Sequence, residues 1–109
     1  MPDQKQLGYD PTNLTLVLSK GADFVHTVSL AAPSAFPTGT KVRIVLSNAA
    51  ETVLDTWQAV LSDAEAKFVI QSDLADAIPA GTKYRLYVSY PTTPTTEYLW
   101  FFGAVRRKQ

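Results

Sequence analysis

The chain has 109 residues, of which 46% are apolar and 11% aromatic, and its 10 basic side chains balance 10 acidic ones. A chain of this length buries roughly 65% of the surface that its unfolded form exposes, so we expect one globular domain that needs no metal or disulfide. The absence of cysteine excludes disulfides, thiolate zinc sites and cysteine nucleophiles. A net charge of zero argues against nucleic acid as the partner.

Residues 1–12 are polar and contain Pro2, Gly8 and Pro11 without an apolar period, which predicts an extended N-terminal arm. The arm lacks the apolar stretch of a signal peptide. No apolar run in the chain approaches the roughly 20 residues that cross a bilayer. We therefore expect a soluble, unprocessed protein with no membrane partner.

Alternation of apolar and polar residues after the arm predicts a series of strands. Leu14, Leu16 and Leu18 occupy one side of the first strand, and turn chemistry follows at residues 20–23. The same spacing recurs in the next three candidate strands. In the second strand Phe24, Val28 and Leu30 share the core side, and in the third Val42, Ile44 and Leu46 do so. The fourth spans residues 53–61 and has Trp57, Ala59 and Leu61 on its core side.

Residues 62–78 fit two different structures. Ser62 and Glu65 have the spacing of a capping box, which favours a helix. Apolar residues at every second position of residues 66–71 favour a strand instead. We favour the strand, followed by a single helical turn near residues 73–77.

Two further strands complete the pattern. The first has its core side formed by Tyr84, Leu86, Val88 and Tyr90. Residues 91–96 are rich in threonine and proline and predict a hairpin tip, and residues 98–102 form the last strand. The seven candidate strands predict an all-β fold, an immunoglobulin-like antiparallel β-sandwich over residues 13–105. Residues 106–109 are predicted to form a basic C-terminal tail.

The sequence contains an internal repeat. Residues 37–47 and 79–89 are identical at six of eleven positions. Each copy begins with a proline and has a glycine two residues later, which predicts a tight turn that leads into a strand. The likeness fits either convergence on good turn and strand chemistry or duplication of a half-domain.

Basic residues recur in pairs on two of the strands. Lys41 with Arg43, and Lys83 with Arg85, each share a strand face. A nucleic-acid reader would interleave such charges with stacking aromatics, and Tyr87 is the one aromatic residue so placed. We expect the long basic stems to cover apolar surface and to discourage stray strand pairing.

The residues that could carry chemistry do not form a recognisable catalytic pattern. His26 is the only histidine, and Asp23 and Ser29 near it invite comparison with a catalytic triad. On a strand His26 and Ser29 point to opposite faces, which argues against that arrangement. The six carboxylates of residues 51–76 lie in predicted turns and solvent faces, without the cleft that glycoside hydrolysis needs. We predict a protein that is not an enzyme and binds no cofactor or metal.

Aromatic residues are concentrated near the C-terminus, where seven of the twelve lie in the last two predicted strands. Tyr98, Trp100 and Phe102 are predicted to fill the core. Leu99 and Phe101 then face outward. Such an apolar outer face is either covered by the chain's own arm or kept for another protein. The candidate interface residues are Tyr9, Tyr87, Leu99, Phe101, Arg106 and Arg107.

Several turn and core motifs carry a family resemblance. They are Gly21-Ala22-Asp23-Phe24, Phe36-Pro37-Thr38-Gly39-Thr40, Trp57, Ile78-Pro79-Ala80-Gly81-Thr82-Lys83-Tyr84-Arg85-Leu86 and Trp100-Phe101-Phe102-Gly103-Ala104-Val105-Arg106. Together they resemble the LtfC-like β-sandwich domain, which occurs in structural proteins of tailed phages that infect actinobacteria. The resemblance implies a virion component of the capsid shell or the tail, and it brings no catalytic residues. Because no fibre or receptor-binding segment accompanies the domain, we expect a small protein that attaches to a larger lattice.

The resemblance leads us to expect a virion structural protein, assembled in the host cytoplasm, that acts as a capsid decoration or minor capsid protein. Its partners would be the major capsid protein or another virion protein, with self-association in a lattice. The arm, the outer aromatic face and the basic tail would make these contacts and reinforce the shell. Two alternatives are a tail or baseplate β-sandwich module and a carbohydrate-binding module with a stacking platform of Trp57, Trp100 or Tyr90.

Overall fold

A computed structural model describes residues 11–29 and 35–108 of the chain. Nine strands and one short helix lie within these ranges. They are β1 (Thr12–Asn13), β2 (Leu16–Ser19), β3 (Phe24–Ser29), β4 (Lys41–Ser47), β5 (Val53–Gln58), β6 (Val60–Ser62), β7 (Glu65–Ile70), α1 (Ser72–Ala75), β8 (Lys83–Tyr90) and β9 (Thr96–Lys108).

The strands form two sheets that pack face to face. The large sheet has the order β1-β9-β8-β4-β5, with β2 also pairing with β9, and the small sheet has the order β3-β7-β6. β1 and β2 run parallel to β9, and the other pairs in the described ranges are antiparallel. The orders β9-β8-β4-β5 and β3-β7-β6 correspond to strands G-F-C-C′ and B-E-D of an immunoglobulin domain. The predicted all-β sandwich is confirmed.

The core lies between the sheets and is built from alternate residues of both. On β4, β7 and β8 the buried residues follow the predicted period of two. Phe68, Val42 and Val88 are fully buried, and Trp57 is 2% exposed. Burial of a large apolar side chain stabilises the fold by about 1.5–3 kcal/mol. The described residues include no helix that is long and apolar enough to cross a membrane.

The first predicted strand is interrupted at Leu14. Leu16 and Leu18 are buried in β2, but Leu14 lies outside both strands and is 50% exposed, so the prediction that the three leucines share one side of a single strand is wrong. Between β1 and β2 the backbone carbonyl of Leu14 accepts a 2.6 Å hydrogen bond from the Tyr84 hydroxyl. The same carbonyl lies where a Cβ atom on residue Gly103 would be. The backbone of Leu14, rather than its side chain, therefore makes the inward contact.

Part of the predicted arm belongs to the sandwich. Thr12 pairs with Phe101 in the large sheet. Residues 1–10, including the interface candidate Tyr9, lie outside the described residues, and so does Leu30.

The predicted fourth strand is two strands that belong to different sheets. β5 ends at Gln58 in the large sheet, and β6 begins at Val60 in the small sheet. Ala59 lies between them and donates its N–H to the carbonyl of Val42 at 2.9 Å. Ala59 and Leu61 pack against the core. The predicted core side is confirmed, whereas the single continuous strand is wrong.

The ambiguous stretch contains a strand and then a helical turn. β7 spans Glu65–Ile70 and α1 spans Ser72–Ala75, so the favoured alternative is confirmed. Asp63 has φ of +49° in the turn that leads into β7. The carboxylate of Asp23 accepts a 2.8 Å hydrogen bond from the N–H of Ser72 at the start of α1.

The last strand is longer than predicted, because it continues through Gly103 to Lys108. Arg106 pairs with Val17 and Lys108 with Ser19. The prediction of a basic tail is therefore wrong for the described residues of that segment. β2 supplies the backbone partners that extend β9, and the local pattern of apolar residues contains no signal of this parallel pairing.

Candidate protein-binding face of the large sheet

The outward side chains of β4, β8 and β9 form one continuous surface, which we call the outer face. They point outward because they alternate with the buried residues of the same strands. The outer face consists of Lys41, Arg43, Val45, Lys83, Arg85, Tyr87, Ser89, Glu97, Leu99, Phe102, Ala104 and Arg106.

The centre of the outer face is apolar. Phe102 pairs with Arg85, and Leu99 pairs with Tyr87 across β8 and β9. Val45 lies on the other side of Arg85, on β4. The four apolar or aromatic side chains in this group are half-buried in the isolated domain. A partner that covered them would gain about 25 cal/mol for each Å² of apolar surface removed from water.

Arg43 is fixed on the outer face by its neighbours. Its guanidinium lies 4.9 Å from the ring centre of Tyr87, and its Nη1 donates to Oε1 of Glu97 at 3.2 Å. The Ser89 hydroxyl donates to the other oxygen of Glu97 at 2.6 Å. Hydrogen bonds, that from Ser89 first, hold the pKa of Glu97 below its usual value, so the carboxylate is charged at neutral pH. The guanidinium of Arg43 is thus positioned over Tyr87 before any partner binds.

The predicted outward placement of Phe101 is wrong. The register between β8 and β9 shifts between Leu86 and Tyr87, so that Leu86 pairs with Phe101 and Tyr87 pairs with Leu99. Trp100 is the extra residue of this β-bulge. The bulge moves the alternation by one position, and Phe101 packs against the core.

Phe102 takes the outward place instead, beside Arg85, and its predicted core position is wrong. Leu99 faces outward opposite Tyr87 as expected. Every residue from 98 to 102 is aromatic or apolar, so the sequence pattern offers no signal of the extra residue. Phe102 is the residue of the outer face that sequence reasoning missed.

The two arginines near the C-terminus have different roles. Arg106 is exposed at one end of the outer face. The side chain of Arg107 is 8% exposed. Its Nη1 donates to the carbonyls of Ala75 and Ile78 at 3.0 Å each, and its Nη2 lies 3.0 Å from Asp76. Arg107 therefore ties β9 to the end of α1 and presents little charge to a partner.

A cavity of about 280 Å³ opens between β2 and β3. Its lining is mostly apolar, with Thr15, His26 and Tyr84 as the polar side chains. Burial raises the pKa of Tyr84, because the phenolate is poorly solvated there. The Tyr84 hydroxyl already donates to the carbonyl of Leu14.

The described residues do not bring a catalytic constellation together at this cavity. The carboxylate of Asp23 is occupied by the N–H of Ser72 at 2.8 Å. Ser29 pairs with Glu65 on the β3–β7 ladder, three positions from His26. Within the described part of the chain, no group of three or more His, Asp or Glu residues could hold a metal ion.

The sheet orders and the core between the two sheets define an immunoglobulin-like β-sandwich domain. Comparison with family models then gives a particular family. The LtfC-like, beta-sandwich domain matches residues 10–108, and the chain belongs to that family. The family resemblance carried by the turn and core motifs is thereby confirmed. A comparison with curated proteins finds no match.

Proposed function

We propose that this chain is a non-enzymatic structural component of a tailed-phage virion, a capsid decoration or minor capsid protein that binds the major capsid protein. The observation that carries the proposal is the outer face. In this chain Leu99, Phe102 and Tyr87 lie half exposed together at the middle of the larger sheet. Contiguous apolar surface of this kind is typical of protein-binding sites.

Docking through the outer face would reinforce a shell by burying apolar surface between subunits. The gain is about 25 cal/mol per Å² before the cost of association is subtracted. A single contact of modest area binds weakly. In a lattice each copy is held at several contacts at once, and the combined affinity rises by orders of magnitude.

The positions of the tryptophans favour protein binding over saccharide binding. A carbohydrate-binding module needs exposed planar rings, but Trp57 is 2% exposed and its Nε1 donates to Asp55 at 3.0 Å. Trp100 is half-buried with its ring 6.2 Å from that of Phe36. Neither ring forms an open platform, and addition of sugars should leave tryptophan emission unchanged.

The test is the location and copy number of the chain in purified virions of the phage that encodes it. We expect occupancy at a fixed ratio to the major capsid protein and a shell that breaks at lower temperature when the chain is deleted. Phe102→Asp should lower occupancy, whereas Val25→Asp, at a 57% exposed position of the small sheet, should not. Location in the tail would support the tail or baseplate alternative, and absence from virions would refute both.

A further inference from the structure

The residues that are identical in the two copies of the internal repeat lie in the turns and at alternate positions of β4 and β8. Three of the six identities are the Pro, Gly and Thr of the turn, and the other three are the Lys, Arg and Ser of the strand. The strand identities fall at positions 41, 43 and 47 of the first copy and at 83, 85 and 89 of the second. These positions alternate with the core residues, which differ between the copies while remaining apolar or aromatic. The repeat thus preserves the outward lysine and arginine, and not the identity of the core residues.

The two copies lie side by side in the large sheet. β4 and β8 pair antiparallel with Lys41 opposite Ser89, Ile44 opposite Leu86 and Ser47 opposite Lys83. Ile44 and Leu86 are also equivalent positions of the repeat. A local two-fold axis therefore passes between these two residues, and it relates the outward lysine and arginine of one strand to those of the other.

The turns that precede the two strands share their geometry. Gly39 has φ of +95° and Gly81 has φ of +85°. The N–H of Thr40 donates to the carbonyl of Pro37 at 3.1 Å, and the equivalent N–H of Thr82 donates to the carbonyl of the second proline at 3.3 Å. The local symmetry thus includes the turns that set the start of each strand.

Each repeated arginine is paired with a glutamate that follows the other copy. Arg43 of the first copy lies 3.2 Å from Glu97, which is in β9 after the second copy. Arg85 of the second copy lies 3.6 Å from Glu51, which is in the turn after the first copy. The two ion pairs lie beside the apolar centre of the outer face.

The outer face has an excess of positive charge although the chain as a whole has none. Among the described residues, Lys41, Lys83 and Arg106 have no ion-pair partner within 4.0 Å. All three are exposed. The five cations of the outer face exceed the two glutamates paired with them by three charges.

We propose that the outer face docks an acidic protein surface with an apolar centre, and that this partner is not a second copy of the same face. The inference rests on the proposed function and names the chemistry of its partner. Carboxylates on the partner would meet Lys41, Lys83 and Arg106, while apolar side chains would cover Leu99 and Phe102. Two copies packed face to face would oppose two surfaces that each have three more positive than negative charges, and like charges across an interface disfavour association.

The same observations favour a protein over a nucleic acid. Both arginines are already paired with carboxylates, so fewer charges are free to neutralise phosphates. Tyr87 is covered by the guanidinium of Arg43 at 4.9 Å, which leaves less of its ring for base stacking. The apolar Leu99 and Phe102 add binding energy only with a partner that also has apolar surface.

The test uses the full chain and three polymers as probes: a random glutamate–tyrosine copolymer, polyglutamate and duplex DNA. We expect the copolymer to bind most tightly, because it supplies both carboxylates and apolar rings. Its affinity should fall as salt rises from about 0.05 M to about 0.5 M, where surface charges are screened. The double variant Lys41→Glu with Lys83→Glu should bind the copolymer about tenfold more weakly.

The matched control is the double variant Lys20→Glu with Lys67→Glu, which makes the same change in net charge at two exposed lysines outside the outer face. It should retain the affinity of the native chain within about twofold. Equal weakening by both double variants would overturn the inference, and so would tighter binding of DNA than of the copolymer. A native dimer that Phe102→Asp dissociates would identify a second copy as the occupant and would also overturn it.

Virion occupancy separates this inference from the proposed function. If the Lys41→Glu, Lys83→Glu chain is present in virions at the native copy number, the proposed function stands and the acidic partner is refuted. If the native chain binds the copolymer as expected but is absent from virions, the proposed function is refuted and the acidic binding face stands.

Discussion

The Tyr84 hydroxyl donates a 2.6 Å hydrogen bond to the backbone carbonyl of Leu14, seventy residues away in the chain. Leu14 is also bound to β9, because its N–H donates to the carbonyl of Phe102 at 2.9 Å. Gly103 leaves room for the Leu14 carbonyl, since a Cβ there would collide with the Leu14 oxygen. This contact joins the two short N-terminal strands to the centre of the large sheet.

Tyr84→Phe should lower the free energy of unfolding by about 1 kcal/mol, because the Leu14 carbonyl loses a partly buried hydrogen bond. Urea unfolding of the two proteins measures the difference. Tyr87→Phe is the matched control, since Tyr87 contributes its ring to the contact with Arg43. A control as destabilised as Tyr84→Phe would contradict a specific role for the Leu14 bond.

The same pair predicts a dependence of stability on high pH. Burial raises the pKa of Tyr84 above the usual value of a tyrosine, so the unfolded chain loses this proton at lower pH than the folded chain does. The stabilisation is fully present below the unfolded pKa and is lost as pH rises through the folded one. The stability difference between the native chain and Tyr84→Phe should therefore be smaller at about pH 11 than at about pH 8. An unchanged difference would contradict the shift.

Gly103→Ala should destabilise the domain by about 1–3 kcal/mol, because the new methyl group meets backbone rather than a movable side chain. Thermal unfolding measures the loss. Gly21→Ala is the comparison, since Gly21 has φ of +77° but nothing within 4 Å of the added atom. It should lose about 1 kcal/mol from backbone strain alone. Equal losses at the two sites would show that the Leu14 contact adds nothing.

Arg107→Gln should cost about 2 kcal/mol of unfolding free energy, because Ala75, Ile78 and Asp76 lose a charged donor. Arg106→Gln, at the exposed neighbouring position, should change stability by less than about 0.5 kcal/mol. Chemical denaturation of both variants tests the assignment. If Arg107→Gln is the milder change, the arginine does not anchor α1.

Phe101→Asp and Phe102→Asp should differ although the residues are neighbours. Phe101 packs against the core, so a carboxylate there should prevent folding or leave an unstable domain. Phe102 faces outward, so its variant should fold and lose only binding. Circular dichroism and urea unfolding of each distinguish the two. A folded Phe101→Asp beside an unfolded Phe102→Asp would mean that the bulge at Trp100 is misplaced.

The sequence alone determined the interior of the regular strands. On β4, β7 and β8 every second residue is apolar, so one side of each strand is apolar throughout. Turning that side toward the core is the arrangement that removes its side chains from water. The prolines at positions 37 and 79 and the glycines at positions 39 and 81 mark the turns, because proline fixes φ at the start of a turn and the positive φ of the two later positions suits glycine. These local rules predicted the sandwich and the buried Trp57.

The tertiary structure decided everything that depends on which strands become neighbours. The exposure of Leu14, the change of sheet at Ala59 and the length of β9 follow from hydrogen bonds to distant strands. The faces of Phe101 and Phe102 depend on one extra residue, which a wholly apolar stretch does not reveal. The alternation of a strand tells which residues share a side, but pairing with other strands fixes the register and brings the two copies of the repeat together on one surface.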